Sequence, residues 1–305
     1  MTSTAVRSRT DLSARKNITG IVLAGAFALA GAVSAASAQT EVERGAYLVK
    51  AGGCVGCHTA KDGTPYAGGL GLKTPFGTFF SPNITPDTEH GIGTWSDDDF
   101  VRALHEGISP DGGRYFPVFP YPSYTKMTRE DAVAIKAYLF SLEPVSQPNR
   151  EHDVSFPFSW RFLQRGWRMI NFEEGRFQPK DGLSDIENRG AYLVDALAHC
   201  GECHTPRNIM GGTDNDMYLA GTPDGPEGQL VPNITPHSTG AEDWSEFDLI
   251  QVMKTGLKPD FDNVQGTMAE AIDEGLKYLT DEDLAAIAAY LKKVPPIENV
   301  VKSDN

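Results

Sequence analysis

The sequence predicts an all-α fold built from two tandem copies of one unit. Three observations carry this: a duplicated cysteine–histidine motif, a series of other segments repeated in the same order, and helix-like stretches with no convincing alternation of strand period. Cys54-Val55-Gly56-Cys57-His58 recurs as Cys200-Gly201-Glu202-Cys203-His204, and the two motifs hold all 4 cysteines of the 305-residue chain. Arg-Gly-Ala-Tyr-Leu-Val at Arg44–Val49 returns at Arg189–Val194, and Pro-Asn-Ile-Thr-Pro at Pro82–Pro86 returns at Pro232–Pro236. Trp95-Ser96 matches Trp244-Ser245, and Ala137-Tyr138-Leu139 matches Ala289-Tyr290-Leu291. The spacing between copies drifts slightly while the order holds, as one duplicated unit with small insertions requires.

In chain order, residues 1–38 read as a secretory signal peptide. Arg7, Arg9, Arg15 and Lys16 form a basic leader, Ile18–Ala36 is apolar, and Ala36-Ser37-Ala38 is a small-residue cleavage site before Gln39. Without an Arg-Arg pair, general secretion to the periplasm is expected. The alternative is a leader that stays uncleaved and anchors the chain. The first unit then spans 39–142, a linker 143–184, the second unit 185–298 and a tail 299–305. The first helix of each unit is expected to begin near Glu41 or Glu187 and run into the motif, with Gly52-Gly53 loosening it in the first copy. Tyr47 stands seven residues before Cys54, whereas Tyr192 stands eight before Cys200. Both are expected between the first and last helices, facing Tyr138 and Tyr290. Loops rich in Gly, Pro, Thr and Asn follow at 59–94 and 205–243. Loops of that length suit a chain that wraps a prosthetic group. Short helices are expected at Ser96–Glu106 and Ser245–Thr255, and last helices at Thr128–Leu142 and Thr280–Lys293. Each opens on a capping-box pattern: Ser96/Asp99, Ser245/Asp248, Thr128/Asp131, Thr280/Asp283. The acidic runs Asp97–Asp99 and Asp281–Asp283 are thereby explained as anions at helix N-termini rather than as metal ligands.

C-x-x-C-H is the pattern for covalent attachment of a c-type haem. Residues three apart share a helix face, so Cys54 and Cys57, and Cys200 and Cys203, can reach the two vinyl groups on one porphyrin edge. His58 and His204 then fall over the iron as proximal ligands. A zinc ribbon would need its cysteine pairs closer together, and a redox dithiol would not need a histidine in both copies. Two covalently bound haem c groups are expected. For the sixth iron position, Met268 in a Gly-Thr-Met turn is the choice in the second unit and Met127 in the first, with His90, His105 or an open site as alternatives to Met127. His105 is expected at the surface, because the second unit has Lys254 there. Met253 reads as core, and Met210 and Met217 lie too near the motif to reach over the far face. Asn83, Thr85, Asn233 and Thr235 could serve the haem, or simply make Asx turns. Trp95, Trp244 and Arg207 could donate to propionates.

The formal charge is −14, and removing the leader makes it more negative. That balance argues against nucleic acid or anionic lipid as partners, and membrane contact is expected to be at most peripheral. The linker is the exception, since Phe156–Phe172 interleaves aromatic residues with arginines. It reads first as a strap between the units and second as a docking face.

Taken together, Arg-Gly-Ala-Tyr-Leu-Val, C-x-x-C-H, Pro-Asn-Ile-Thr-Pro, the Trp-Ser helix start, Phe119–Met127 and Cys203–Asn208 resemble the cytochrome c subunits of periplasmic alcohol, aldehyde and gluconate dehydrogenases. The resemblance spans almost the whole chain after the leader. It implies class I cytochrome c domains, with His58 and His204 as proximal ligands and Met268 as a distal one. Some relatives carry the first-unit methionine where this chain has Phe119, which leaves Met127 as the candidate. Several also carry a third haem domain and a membrane-binding tail, which this sequence does not continue into. The expected function is transfer of single electrons from a periplasmic dehydrogenase to another cytochrome or a terminal oxidase. The alternative is a dihaem enzyme with one open site, of peroxidase or thiosulfate-oxidising type.

Overall fold

The first helix carries a glycine at its point of closest approach, and that glycine explains how each repeat closes. A computed structural model describes residues 1–2 and 40–302. The leader lies outside these apart from Met1 and Thr2. The chain falls into two units, Met1–Glu41 and Val42–Asn305, and the second holds both repeats and the linker. Helix α1 covers residues 40–51 and one-turn α2 covers Cys54–Cys57. The short helix α3 is Asp97–Glu106, a single turn α4 is Tyr121–Tyr124, and the last helix α5 is Arg129–Phe140. The linker contributes α6, Gln164–Asn171. The second repeat follows with α7 (Asp185–Tyr192), one-turn α8 (Gly201–His204), α9 (Glu246–Thr255), α10 (Gly266–Glu274) and α11 (Asp281–Leu291). A Cβ on Gly45 would stand 1.9 Å from the Ala134 carbonyl oxygen, and one on Gly190 would stand 1.9 Å from that of Ala286. Only glycine lets the first and last helices of each repeat cross this closely. No helix among the described residues is long and apolar enough to cross a membrane.

The all-α expectation needs one correction. A small antiparallel sheet, ordered β1-β2-β3, joins Gly71–Thr74, Gly77–Phe80 and Asp153–Val154. β1 and β2 lie in the first long loop and β3 in the linker, so the sheet ties the linker to the first repeat. The strands are 4, 4 and 2 residues long, too short for alternation to be legible.

The extra residue between Tyr192 and Cys200 is absorbed where α7 runs on as a π-helical turn, Leu193–Leu197. Such a bulge takes up one inserted residue inside a helix. In the first copy α1 instead ends before Gly53, at φ +61°; in the second, His199 takes φ +39°.

Helices α3 and α9 carry full capping boxes on Ser96 and Ser245. The expected boxes on α5 and α11 are only half formed. Thr128 and Thr280 accept from the Asp131 and Asp283 N–H groups, but those carboxylates do not turn back to the caps. They are engaged elsewhere. Arg44 bonds Asp131 at 2.5 Å, and Arg189 bonds Asp283 through two nitrogens at 2.8 and 2.7 Å.

The placement of the tyrosines is also corrected. Tyr47 donates across to Asp283 of the other repeat at 2.6 Å, and Tyr192 donates across to Asp131 at 2.5 Å. Thr280 N–H and Thr128 N–H donate to these same hydroxyls. Each repeat thus hands a tyrosine to the last helix of the other. Tyr138 packs edge-on to Tyr66, and Tyr290 bonds Lys180 and Asp195. A buried phenol reaches for the nearest charged acceptor, and here that acceptor stands on the neighbouring repeat.

The linker touches both repeats, as a strap does. Phe177 N–H donates to Lys126 O at 2.9 Å, and Arg168 donates to Glu106 O on the first repeat. Trp167 Nε1–H donates to Met210 O at 2.9 Å on the second.

Candidate haem-attachment sites

Each motif forms a single helical turn, closed by His58 N–H to Cys54 O at 3.0 Å and by His204 N–H to Cys200 O at 2.9 Å. The turn places both thiols and the imidazole on one short element. Each histidine is then held from two sides. Its carbonyl accepts from Gly68 N–H or Gly221 N–H, at 2.8 and 2.7 Å. Its Nδ1 lies 2.8 Å from Pro82 O in the first repeat and 2.9 Å from Pro232 O in the second. A carbonyl only accepts, so Nδ1 carries the proton and Nε2 keeps its lone pair. Burial lowers both imidazole pKa values despite these bonds, which favours the neutral ring. A neutral imidazole locked at Nδ1, with no hydrogen bond to Nε2 among the described residues, is the form that binds a metal.

The thiols fit the same group. No disulfide joins any of the four cysteines. Burial pushes Cys54 and Cys200 up to about 12 and Cys203 to about 11, and it raises Cys57. A redox dithiol works through a thiolate, which these surroundings disfavour. Cys57 is nonetheless exposed, whereas Cys54, Cys200 and Cys203 are partly buried. Two neutral thiols and one free imidazole nitrogen per repeat make the donor set of a thioether-linked haem.

Met127 is buried, with 1% exposure, one residue before the Thr128 cap. Its N–H donates to Tyr124 O at 2.9 Å. Met268 is partly buried against the core in the first turn of α10, so the expected turn there is a helix. Gln229 anchors that helix start by accepting from Thr267 N–H. Met253 is buried, in the core. His105 is buried, not at the surface, and lies against the backbone of Met127. The apolar face of α3 turns this end inward, which the comparison with Lys254 did not reveal. His90 sits half-exposed beside Glu89.

The Pro-Asn-Ile-Thr-Pro loops prove to be structural. Asn83 Oδ1 accepts from Thr85 N–H and Oγ1–H at 2.9 and 2.7 Å, and its Nδ2 donates to Val145 O and Gln147 O. Asn233 repeats the pattern with Thr235 and Ile297 O. With these bonds made, the side chains have nothing left for a propionate. They fix the loop whose proline carbonyl holds the histidine, a role that the repeated motif signalled without saying so. Arg207 is likewise committed, to the Glu202 carboxylate at 2.6 Å. Trp95 and Trp244 pack against the core.

The two motifs lie close to one another. Ser123 of the first repeat donates to Glu202 of the second at 2.6 Å, and Tyr124 stacks edge-on to His199. Burial would raise the Glu202 carboxyl, but Arg207 and Ser123 outweigh it and hold it low.

The chain belongs to the cytochrome c family, which matches residues 42–143 and 188–295. The family and the duplicated motif imply covalently bound haem c, one per repeat. Among known proteins it is 44% identical over 264 residues to a "Diheme cytochrome c-type" of Cereibacter sphaeroides, covering 85% of this chain and 87% of that one. It is 41% identical over 292 residues to the "Fructose dehydrogenase cytochrome subunit" of Gluconobacter japonicus, covering 93% and 59%. It is 38% identical over 288 residues to the "Gluconate 2-dehydrogenase cytochrome c subunit" of Pantoea cypripedii, covering 92% and 65%. The chain therefore spans about six-tenths of these two dehydrogenase subunits. Such relatives are electron-transfer components, not the catalytic subunits.

Proposed function

We propose that this chain is an exported dihaem cytochrome c that passes single electrons from a periplasmic dehydrogenase to another cytochrome or a terminal oxidase. Cys54, Cys57 and His58 would hold one haem with Met127 as a further donor to its iron, and Cys200, Cys203 and His204 would hold the other with Met268. The domains span 39–142 and 185–298, joined by 143–184. The leader directs export and is cleaved before Gln39. The observation that carries this reading is the pair of C-x-x-C-H turns in which a proline carbonyl holds Nδ1 and leaves Nε2 for iron. The bound group supplies the one-electron couple. The protein would supply the tether, the burial and the histidine and methionine donors that tune its potential.

Two measurements test it. Pyridine haemochrome quantitation on the natively matured protein is expected to give two haems per chain that resist acid-acetone extraction; fewer than two, or haem that strips free, ends the reading. Mass spectrometry of the same sample is expected to place the N-terminus at Gln39, and an intact leader would make the chain a tethered carrier instead.

A further inference from the structure

The linker carries two unusual features side by side. The first is an exposed aromatic ridge. Phe156 is 70% exposed, Trp160 50%, Phe162 60%, Met169 87% and Ile170 69%. Trp160 stacks with Phe156 at 4.9 Å and with Phe162 at 5.3 Å, and Phe158 stacks with Phe76 at 4.9 Å. The Phe156–Trp160–Phe162 stack is a continuous exposed apolar strip of a kind uncommon on a water-facing surface.

The second feature is a set of arginines with no carboxylate in direct contact, although Arg161 still acts on Asp111 at longer range. Among the described residues, Arg44, Arg102, Arg129, Arg176, Arg189 and Arg207 each pair with a carboxylate. Arg114, Arg150, Arg161, Arg165 and Arg168 have no such pair, and three of these five lie within the aromatic segment, with Arg150 close before it. In a chain of net charge −14, arginines without acids are out of character. Arg150 lies 3.8 Å over the Phe80 ring, and Arg161 lies 5.1 Å over the Phe116 ring and donates to Arg114 O. Arg150 and Arg161 line a cavity of about 370 Å³ that opens beside the ridge, together with Phe116, His152, Ser159 and one acid, Glu151. His152 Nδ1 accepts from Phe80 N–H, so its neutral ring carries the proton on Nε2 as a further donor.

We infer that this face binds an anionic phospholipid surface, with the ridge entering the headgroup boundary and a lipid phosphate drawn to the Arg150–Arg161 cavity. Trp, Phe, Met and Ile beside arginine is the residue set of an interfacial contact. A cavity of this size admits a phosphodiester headgroup, and the exposed rings of Phe156, Trp160 and Phe162 beside it suit the headgroup boundary. The remaining acidic surface is repelled by the same membrane, so the contact orients the molecule linker-side down. The proposal stands independently of the haem ligation.

The test is co-sedimentation of the full, haem-loaded protein with vesicles of equal phosphatidylglycerol and phosphatidylcholine, against vesicles of phosphatidylcholine alone, at low ionic strength. Binding is expected only to the anionic vesicles and should fall about fivefold for each arginine removed in Arg150→Gln and Arg161→Gln. Phe156→Ser with Phe162→Ser should abolish it, and unchanged haem content and absorption spectrum would show that these variants fold. Comparing variants with the parent cancels any contribution of the leader. No binding, equal binding to both vesicles, or binding unaffected by the substitutions overturns the proposal. So does release by inorganic phosphate beyond that caused by chloride at equal ionic strength, which would mark a site for free phosphate. Loss of reduction by a dehydrogenase in the aromatic variant, without vesicle binding by the parent, would instead make this a protein-docking face.

Discussion

At the scale of single residues, the axial methionines offer the sharpest test. Met127→Leu and Met268→Leu are near-isosteric, so each should cost less than about 1.5 kcal/mol of stability. Each is expected to remove about half of the methionine-to-iron absorption band while leaving two haems per chain. A full band in either variant would reassign that ligand. Asn83→Ala is the complementary case. It deletes bonds to two backbone carbonyls and to Thr85 in a buried site, and should cost about 1–3 kcal/mol in denaturant unfolding. What was legible in the sequence at this scale was the attachment chemistry, because C-x-x-C-H constrains spacing and residue type together. What was not legible was which polar residues serve the loop. Asn83 and Asn233 look equally suited to a propionate or to their own backbone, and only the partners decide. His105 was misplaced for a similar reason, since one residue's counterpart says nothing about which side of the helix it faces.

At the scale of elements, the half-formed boxes on α5 and α11 separate two roles that the sequence pattern merges. Thr128→Ala and Thr280→Ala should each cost about 1 kcal/mol, the ordinary loss of a cap. Asp131→Ala and Asp283→Ala should cost distinctly more, because each carboxylate also binds an arginine and the other repeat's tyrosine. Chemical denaturation of the four variants checks the order. Gly45→Ala and Gly190→Ala should be among the most damaging one-carbon additions, at about 1–3 kcal/mol or more, since the new methyl would meet a helix backbone that cannot move aside. Helix positions were readable because caps and apolar period agree at α3, α5, α9 and α11. The strands were not, since four residues cannot display an alternation, and neither was the partner of Tyr47, which lies in a different repeat.

For the whole molecule, the exchanged tyrosines make the contact between repeats sensitive to pH. Burial alone would raise the Asp283 carboxyl, but hydrogen bonds from Arg189 and Tyr47 prevail and hold it below its ordinary value. A depressed native pKa means that the stabilisation is complete above the ordinary carboxylate range and is lost as the pH falls through the lower native value. Tyr47 works in the opposite direction. Burial, then Asp283, pushes it up to about 12, so its share persists below pH 10 and fades as the pH rises toward 12. Acid titration of stability should therefore show a loss below about pH 4 that is smaller in Tyr47→Phe, and an unchanged profile would contradict the assignment.

The exchange has a further consequence, for symmetry. Each half possesses both the phenol that is given and the carboxylate that receives, so two identical halves could satisfy one another by the same handshake. Such reciprocity has the form of an isologous pair held within a single polypeptide. A half liberated by cutting the strap would leave Tyr47 and Asp131 without their opposite numbers, and self-association of two such fragments is the arrangement that would restore both.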